Sequence, residues 1–239
     1  MYKKLILIMF MMFFIIAGQA YGEEIYPQMQ LLYQDNKFDE LEKLCRAELE
    51  KNKKSLESLY FLSAIRLFSG KYEEAIPYME EFEKYHDEKS KEIASKSPDN
   101  KGGDLFLIDA WYIGLYYELG KYHFSNKRYK KAIQWLRMAK ARYYQDPMLH
   151  FYLGISYYEE GEFDKAIKSF KKELEINPNE PSPFYNISCA YSKSNNLPDA
   201  IDWLKKAINI RNKYKDEAKK DDCFENIKSS KSFINLVND

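Results

Sequence analysis

The chain lacks net charge, since 37 Lys and Arg balance 37 Asp and Glu among 239 residues. That balance excludes a bulk nucleic-acid binder, which needs a basic excess to neutralise phosphates. Cysteine is scarce, and Cys45, Cys189 and Cys223 stand far apart without the spacing of metal ligands. An exported protein can pair two of three such cysteines. The better reading is that Cys45 and Cys189, at apolar helical positions, are small buried hydrophobes. His86, His123 and His150 are single and scattered. The sequence holds no His-Glu-x-x-His, no Gly-rich phosphate loop and no Gly-x-Ser-x-Gly. Metalloprotease, phosphate-transfer and hydrolase chemistry therefore lack their parts. The expectation is a protein that is not an enzyme, with no metal site and no cofactor.

A run long enough to span a bilayer is also missing. The longest apolar stretch reaches only from Leu5 to Ala17, well short of the roughly 20 residues a spanning helix needs. Lys3 and Lys4 precede it, and Gly18, Ala20 and Gly22 follow. This is the layout of a secretory signal peptide over residues 1–22, with cleavage after Ala20 or Gly22. The expected location is the periplasm or the exterior. A membrane enters only if the segment stays uncleaved.

What the chain does have is a pattern that returns at a fixed period. Ala132, Ala166 and Ala200 are evenly spaced, and the residues around them correspond. A period of this size, about 34 residues, means stacked helical units, each burying its apolar face on its neighbours. The clearest copy runs from Pro147 and carries His150, Leu153-Gly154, Tyr157, Gly161, Phe163, Ala166, Phe170 and Pro178. The next carries Phe184, Ile187-Ser188, Tyr191, Leu197, Ala200, Leu204 and Ala207. The one before carries Tyr116, Leu119-Gly120, His123, Tyr129, Ala132, Leu136 and Ala139. Two weaker copies lie upstream, marked by Leu59, Leu62-Ser63, Gly70, Tyr72 and Ala75, and by Leu32, Phe38, Leu41 and Cys45.

These residues resemble the tetratricopeptide repeat, a pair of antiparallel helices. The small residues on both helices let their backbones approach closely, where larger ones overpack the contact. Gly161 suits the left-handed conformation that ends a first helix. His123 and His150 fall on repeat positions and read as packing. The second Ala of the pattern is replaced by Glu173 in the clearest copy. The fold expected is all-α: a right-handed α-solenoid of five helix-turn-helix repeats, about 23–55, 56–86, 113–146, 147–180 and 181–213. A capping segment over 214–239 closes the apolar face of the last repeat. The register breaks once, because the step from Ala75 to Ala132 is longer than one period and shorter than two. The insertion, 87–109, reads as two lengthened helices meeting at a loop over 97–103.

In the resembled family the first helix of each repeat lines a concave face. The residue after the first large position points into that face. Here those residues are Tyr26, Tyr60, Tyr117, Phe151 and Tyr185, all aromatic. Seven residues further on stand Tyr33, Leu67, Phe124, Tyr158 and Ser192, three of them aromatic. Such rings offer apolar area at low entropic cost and suit a peptide or protein segment. The resemblance thus implies an exported adaptor that binds a protein or peptide partner, in cell-envelope assembly or maintenance. The alternative function is a carrier of an apolar small ligand. Ordinary packing between neighbouring repeats explains the same rings equally well, and the chain's own terminus is a further candidate occupant.

Overall fold

A computed structural model describes residues 25–96, 103–141 and 146–238. The expected signal segment and residues 97–102 of the expected tip lie outside the described residues. Among the described residues every regular element is helical. The helices are α1 (Ile25–Gln34), α2 (Phe38–Lys51), α3 (Leu56–Phe68), α4 (Tyr72–Lys96), α5 (Gly103–Ser125), α6 (Tyr129–Ala141), α7 (Pro147–Glu159), α8 (Phe163–Ile176), α9 (Pro181–Lys193), α10 (Leu197–Ile210), α11 (Tyr214–Lys220) and α12 (Lys231–Asn238). A 3-10 turn, Asp222–Phe224, joins the last two. The fold forms two compact units, one through Leu115 and one from Tyr116. Helices α4 and α5 have 25 and 23 residues, against 13 in α6 and α7.

In the first unit, Ser63 and Ala75 occupy the small positions and are fully buried. Ser63 turns its hydroxyl back to the Leu59 carbonyl at 2.7 Å, so the contact surface stays narrow and satisfied. Met29 and Leu41, large where the pattern wants Gly and Ala, are fully buried as well. The first helix pair therefore stands on bulk where later pairs stand on close approach. Arg66 of α3 grips Glu42 of α2 through two nitrogens, at 2.5 and 2.9 Å, and reaches Glu74 of α4 at 3.0 Å. Hydrogen bonding to Arg66 holds the Glu42 carboxyl below its ordinary range. Tyr112 of α5 stacks on Phe82 of α4, with ring centroids 3.3 Å apart.

In the second unit the close approach is visible at each pair. A methyl group on Gly120 would sit 2.6 Å from Leu136 Cγ, and one on Gly154 would strike the Phe170 ring. Ser188 of α9 donates to the Ala200 carbonyl of α10 at 2.6 Å, a bond that needs the helices nearly in contact. Asp146 caps α7 by accepting from the Met148 amide at 2.8 Å, ahead of a Pro that loses no amide bond there.

The end of the chain folds back on the last helix pair. Tyr214, Ala218, Phe224, Ile227, Phe233 and Val237 share one core with Leu204, Ala207 and Ile208 of α10. Fully burying rings such as Phe224 and Phe233 stabilises by roughly 2–3 kcal/mol each. One expectation is corrected here. Cys189 is bonded to Cys223, with Cα atoms 5.2 Å apart and a sequence separation of 34. The reason is the repeat itself: the closing segment continues the register by one more period and lays Cys223 against its counterpart. Cys45 is buried and free, and burial pushes its thiol up to about 12.

Candidate binding surface

The eight rings expected to line a concave face divide into two groups. Tyr26, Tyr60, Tyr117 and Tyr185 are buried, while Tyr33, Phe124, Phe151 and Tyr158 are half-buried. An open row of eight rings is therefore absent, and the reason differs between the units.

In the first unit the rings pack on one another. Phe61 lies 6.3 Å from Tyr26, 5.5 Å from Tyr33 and 5.2 Å from Tyr60, centroid to centroid. Tyr60 also meets Tyr112 edge-on at 5.4 Å. Burial pushes the Tyr33 phenol up to about 12 and raises the Tyr26 and Tyr60 phenols as well. These residues work as core between α1, α3 and α5.

In the second unit the last expected ring is covered by the chain's own end. Tyr185 stacks on Tyr214 at 4.6 Å, meets Phe224 edge-on at 5.5 Å, and donates its hydroxyl to Asp221 Oδ2 at 3.0 Å. Tyr158 packs against the same core, and burial with the Asp221 charge pushes its phenol up to about 12. Cys189, Asp221 and Cys223 place their ligand atoms within 4.8 Å of one another, but both sulfurs are used in their own bond.

What remains accessible is a cluster on α5 and α7. Phe124 meets Tyr152 at 4.8 Å, Phe151 at 6.4 Å and Tyr129 at 6.0 Å, and Tyr152 meets Tyr117 at 6.1 Å. These edge-on and tilted contacts are the geometry ring quadrupoles favour. Phe124, Phe151 and Tyr152 are half-buried, so each packs on its neighbours and keeps part of its surface accessible. Lys121 sits 4.8 Å from the Tyr117 ring centre. Tyr152, central to this group, was missed in the sequence. Its signal is weak: it follows Phe151, and the same position in the second repeat is Phe61. His123, at the end of α5, is fully buried, and His150 is half-buried with its pKa lowered by burial.

Paired helices meeting through small residues at a fixed period, with aromatic faces along their first members, define a protein-interaction scaffold of helical repeats. The chain carries tetratricopeptide repeats, with family models of that description matching residues 114–147, 147–180 and 182–220. Among solved structures it is similar to YrrB, described as a TPR protein with an unusual peptide-binding site. That likeness has 23% identity and a TM-score of 0.54, covering 82% of this chain and 90% of YrrB. It is also similar to MamA, at 18% identity and a TM-score of 0.50, over 77% and 88% of the two chains. Among curated proteins it matches peroxisomal targeting signal receptors. The match is 28% identical over 78 residues in Saccharomyces cerevisiae and 31% over 78 residues in Kluyveromyces lactis. Each match spans 33% of this chain but only 13% and 14% of the receptors, so the chain corresponds to a small part of those proteins.

Proposed function

We propose that this protein is an exported adaptor that binds an extended protein or peptide segment through the aromatic cluster of α5 and α7. The observation that carries this reading is the half-buried state of Phe124, Phe151 and Tyr152, linked ring to ring. Rings that hold each other in place while staying partly accessible lose little entropy when a partner lands on them. The peptide-binding site of YrrB supports the kind of partner. Elsewhere in the chain the corresponding rings are core, so the surface is confined to the middle repeats.

Export rests on the basic start and short apolar run of residues 1–22. The Cys189–Cys223 bond supports it, because such bonds persist in oxidising compartments. A role in envelope assembly or maintenance follows if the partner is exported too.

Selection of peptides from a displayed random library tests the binding surface. Peptides should bind the wild type and lose at least tenfold in affinity for a Phe124→Ala/Phe151→Ala/Tyr152→Ala variant whose helicity is unchanged. Equal affinity for both proteins would place the site elsewhere. Mass spectrometry of the mature chain, expected to begin at Tyr21 or Glu23, tests export.

A further inference from the structure

Zero net charge conceals two faces of opposite sign. From Leu119 to Gln145 the sequence holds eight Lys and Arg and no acid. From Glu73 to Glu88 it holds seven acids against Lys84. Of these bases Lys130, Lys131, Arg137 and Lys140 lie on α6, and the acids lie on α4, the second helices of consecutive repeats. The register that aligns Ala75 with Ala132 aligns Glu74 with Lys131, Glu80 with Arg137 and Glu83 with Lys140. The same repeat positions thus carry opposite charge in the two units.

The basic side continues. Arg137, Lys171 and Lys205 hold one repeat position on α6, α8 and α10, and all three are exposed. Lys172 and Lys206 follow two of them. Lys171 and Lys206 flank Trp203 at 5.5 and 4.2 Å from its ring centre, which fixes the track across neighbouring helices. The track has some acidic company: Lys130 meets Glu160 at 3.7 Å, and Lys172 meets Glu175 at 2.6 Å. On the acidic side Glu80, Glu81 and Asp87 are exposed, while Glu74 is held by Arg66 at 3.0 Å.

We infer that the basic track of α6, α8 and α10 docks on the acidic face of α4 in a second copy of this chain. The charge complement is present on the molecule itself, at matching repeat positions. Acids at Glu73, Glu80 and Asp87 and bases at Lys130 and Arg137 recur every two helical turns, about 10.5 Å along a helix, so aligned helices bring them into register. Without Lys3 and Lys4 the mature chain keeps 35 bases against 37 acids, so two copies meet with little bulk repulsion. An anionic lipid surface would answer the track alone, whereas a second copy answers both faces. The contact joins two different patches and is therefore head-to-tail, able to extend or to close into a ring.

Sedimentation velocity on the mature chain tests this at about 10 mM and about 1 M salt, between which the screening length falls from roughly 30 Å to roughly 3 Å. Species larger than a monomer should grow with concentration at low salt and vanish at high salt. Arg137→Glu/Lys171→Glu/Lys205→Glu and Glu80→Lys/Glu81→Lys/Asp87→Lys should each be folded and monomeric. Mixed in equal amounts, they should associate again, because each supplies the face the other has reversed. A wild type that stays monomeric at low salt, up to the highest concentration the protein reaches, overturns the proposal. So does association that ignores salt, or a mixture that stays monomeric. A monomeric wild type that binds vesicles containing anionic lipid, and loses that binding with the reversed track, would overturn it too and assign the track to a membrane.

Discussion

The phenol of Tyr185 and the carboxylate of Asp221 meet at 3.0 Å across 36 residues of sequence. Through this bond the closing segment holds the last ring that the sequence offers to a partner. Asp221 also accepts from the Cys223 amide at 2.9 Å, and Cys223 is bonded to Cys189 on the helix that carries Tyr185. One carboxylate and one disulfide thus fasten the same corner.

Breaking that corner should loosen the end of the chain before the rest. Cys223→Ser removes a cross-link and should cost about 2–5 kcal/mol. Tyr185→Phe removes a hydrogen bond to a charged group and should cost about 1–3 kcal/mol. Urea titration with and without reductant measures both, and the Cys223→Ser chain should no longer respond to reductant. Hydrogen exchange should rise first over residues 214–238. Uniform exchange across the second unit would mean the closing segment is integral to the stack.

Glu173 is buried with Oε2 lacking a hydrogen-bond partner, at the position where the neighbouring repeats have Ala139 and Ala207. Burial, aided by the Glu180 charge, pushes its carboxyl up to about 7. The folded chain therefore keeps a proton that the unfolded chain releases near 4.5. Its contribution to stability falls as pH rises from about 4.5 to about 7, and above that the penalty is constant. Glu173→Gln should gain on the order of 1 kcal/mol at about pH 8 and nothing at about pH 4.5. Thermal unfolding of both proteins at the two pH values checks it, and an equal gain at both would remove ionisation as the cause.

The repeats were legible because their constraint is local and periodic. Gly154 and Ser188 are small since a neighbouring helix lies against them, and that need returns in each repeat after the first. The fate of the rings was not legible in the same way. Tyr117, Phe151 and Tyr185 hold one repeat position, yet Phe151 is half-buried while Tyr185 lies under Tyr214 and Phe224. Exposure there depends on what the next repeat or the chain's end lays on top. Cys223 was hidden for a related reason, since its partner is found only by extending the period into a segment that no longer follows the pattern.

Close approach gives a size test. Gly154→Ala pushes a methyl group into the Phe170 ring, so it should destabilise by about 1–3 kcal/mol through overpacking. Gly114→Ala, with nothing within 4 Å of the added atom, should instead gain up to about 1 kcal/mol, as Ala does over Gly within a helix. Urea midpoints of the two variants should therefore move in opposite directions.

The turn between the helices of each pair gives a test of backbone alone. Asn36, Gly70, Lys127, Gly161 and Asn195 take φ of 58°, 76°, 55°, 74° and 60°, a left-handed residue in each of the five pairs. A Cβ on Gly161 would meet nothing within 4 Å, so a side chain there costs only through the backbone. Lys127 already bears that cost, which is about 1–2 kcal/mol for a side chain in this conformation. Lys127→Gly should accordingly stabilise by about 1 kcal/mol, and Gly161→Ala should destabilise by a similar amount. Asn36→Gly should change little, because Asn tolerates the left-handed region. Thermal unfolding of the three variants ranks them, and a destabilised Lys127→Gly would show that this side chain contributes more through its contacts than its backbone costs.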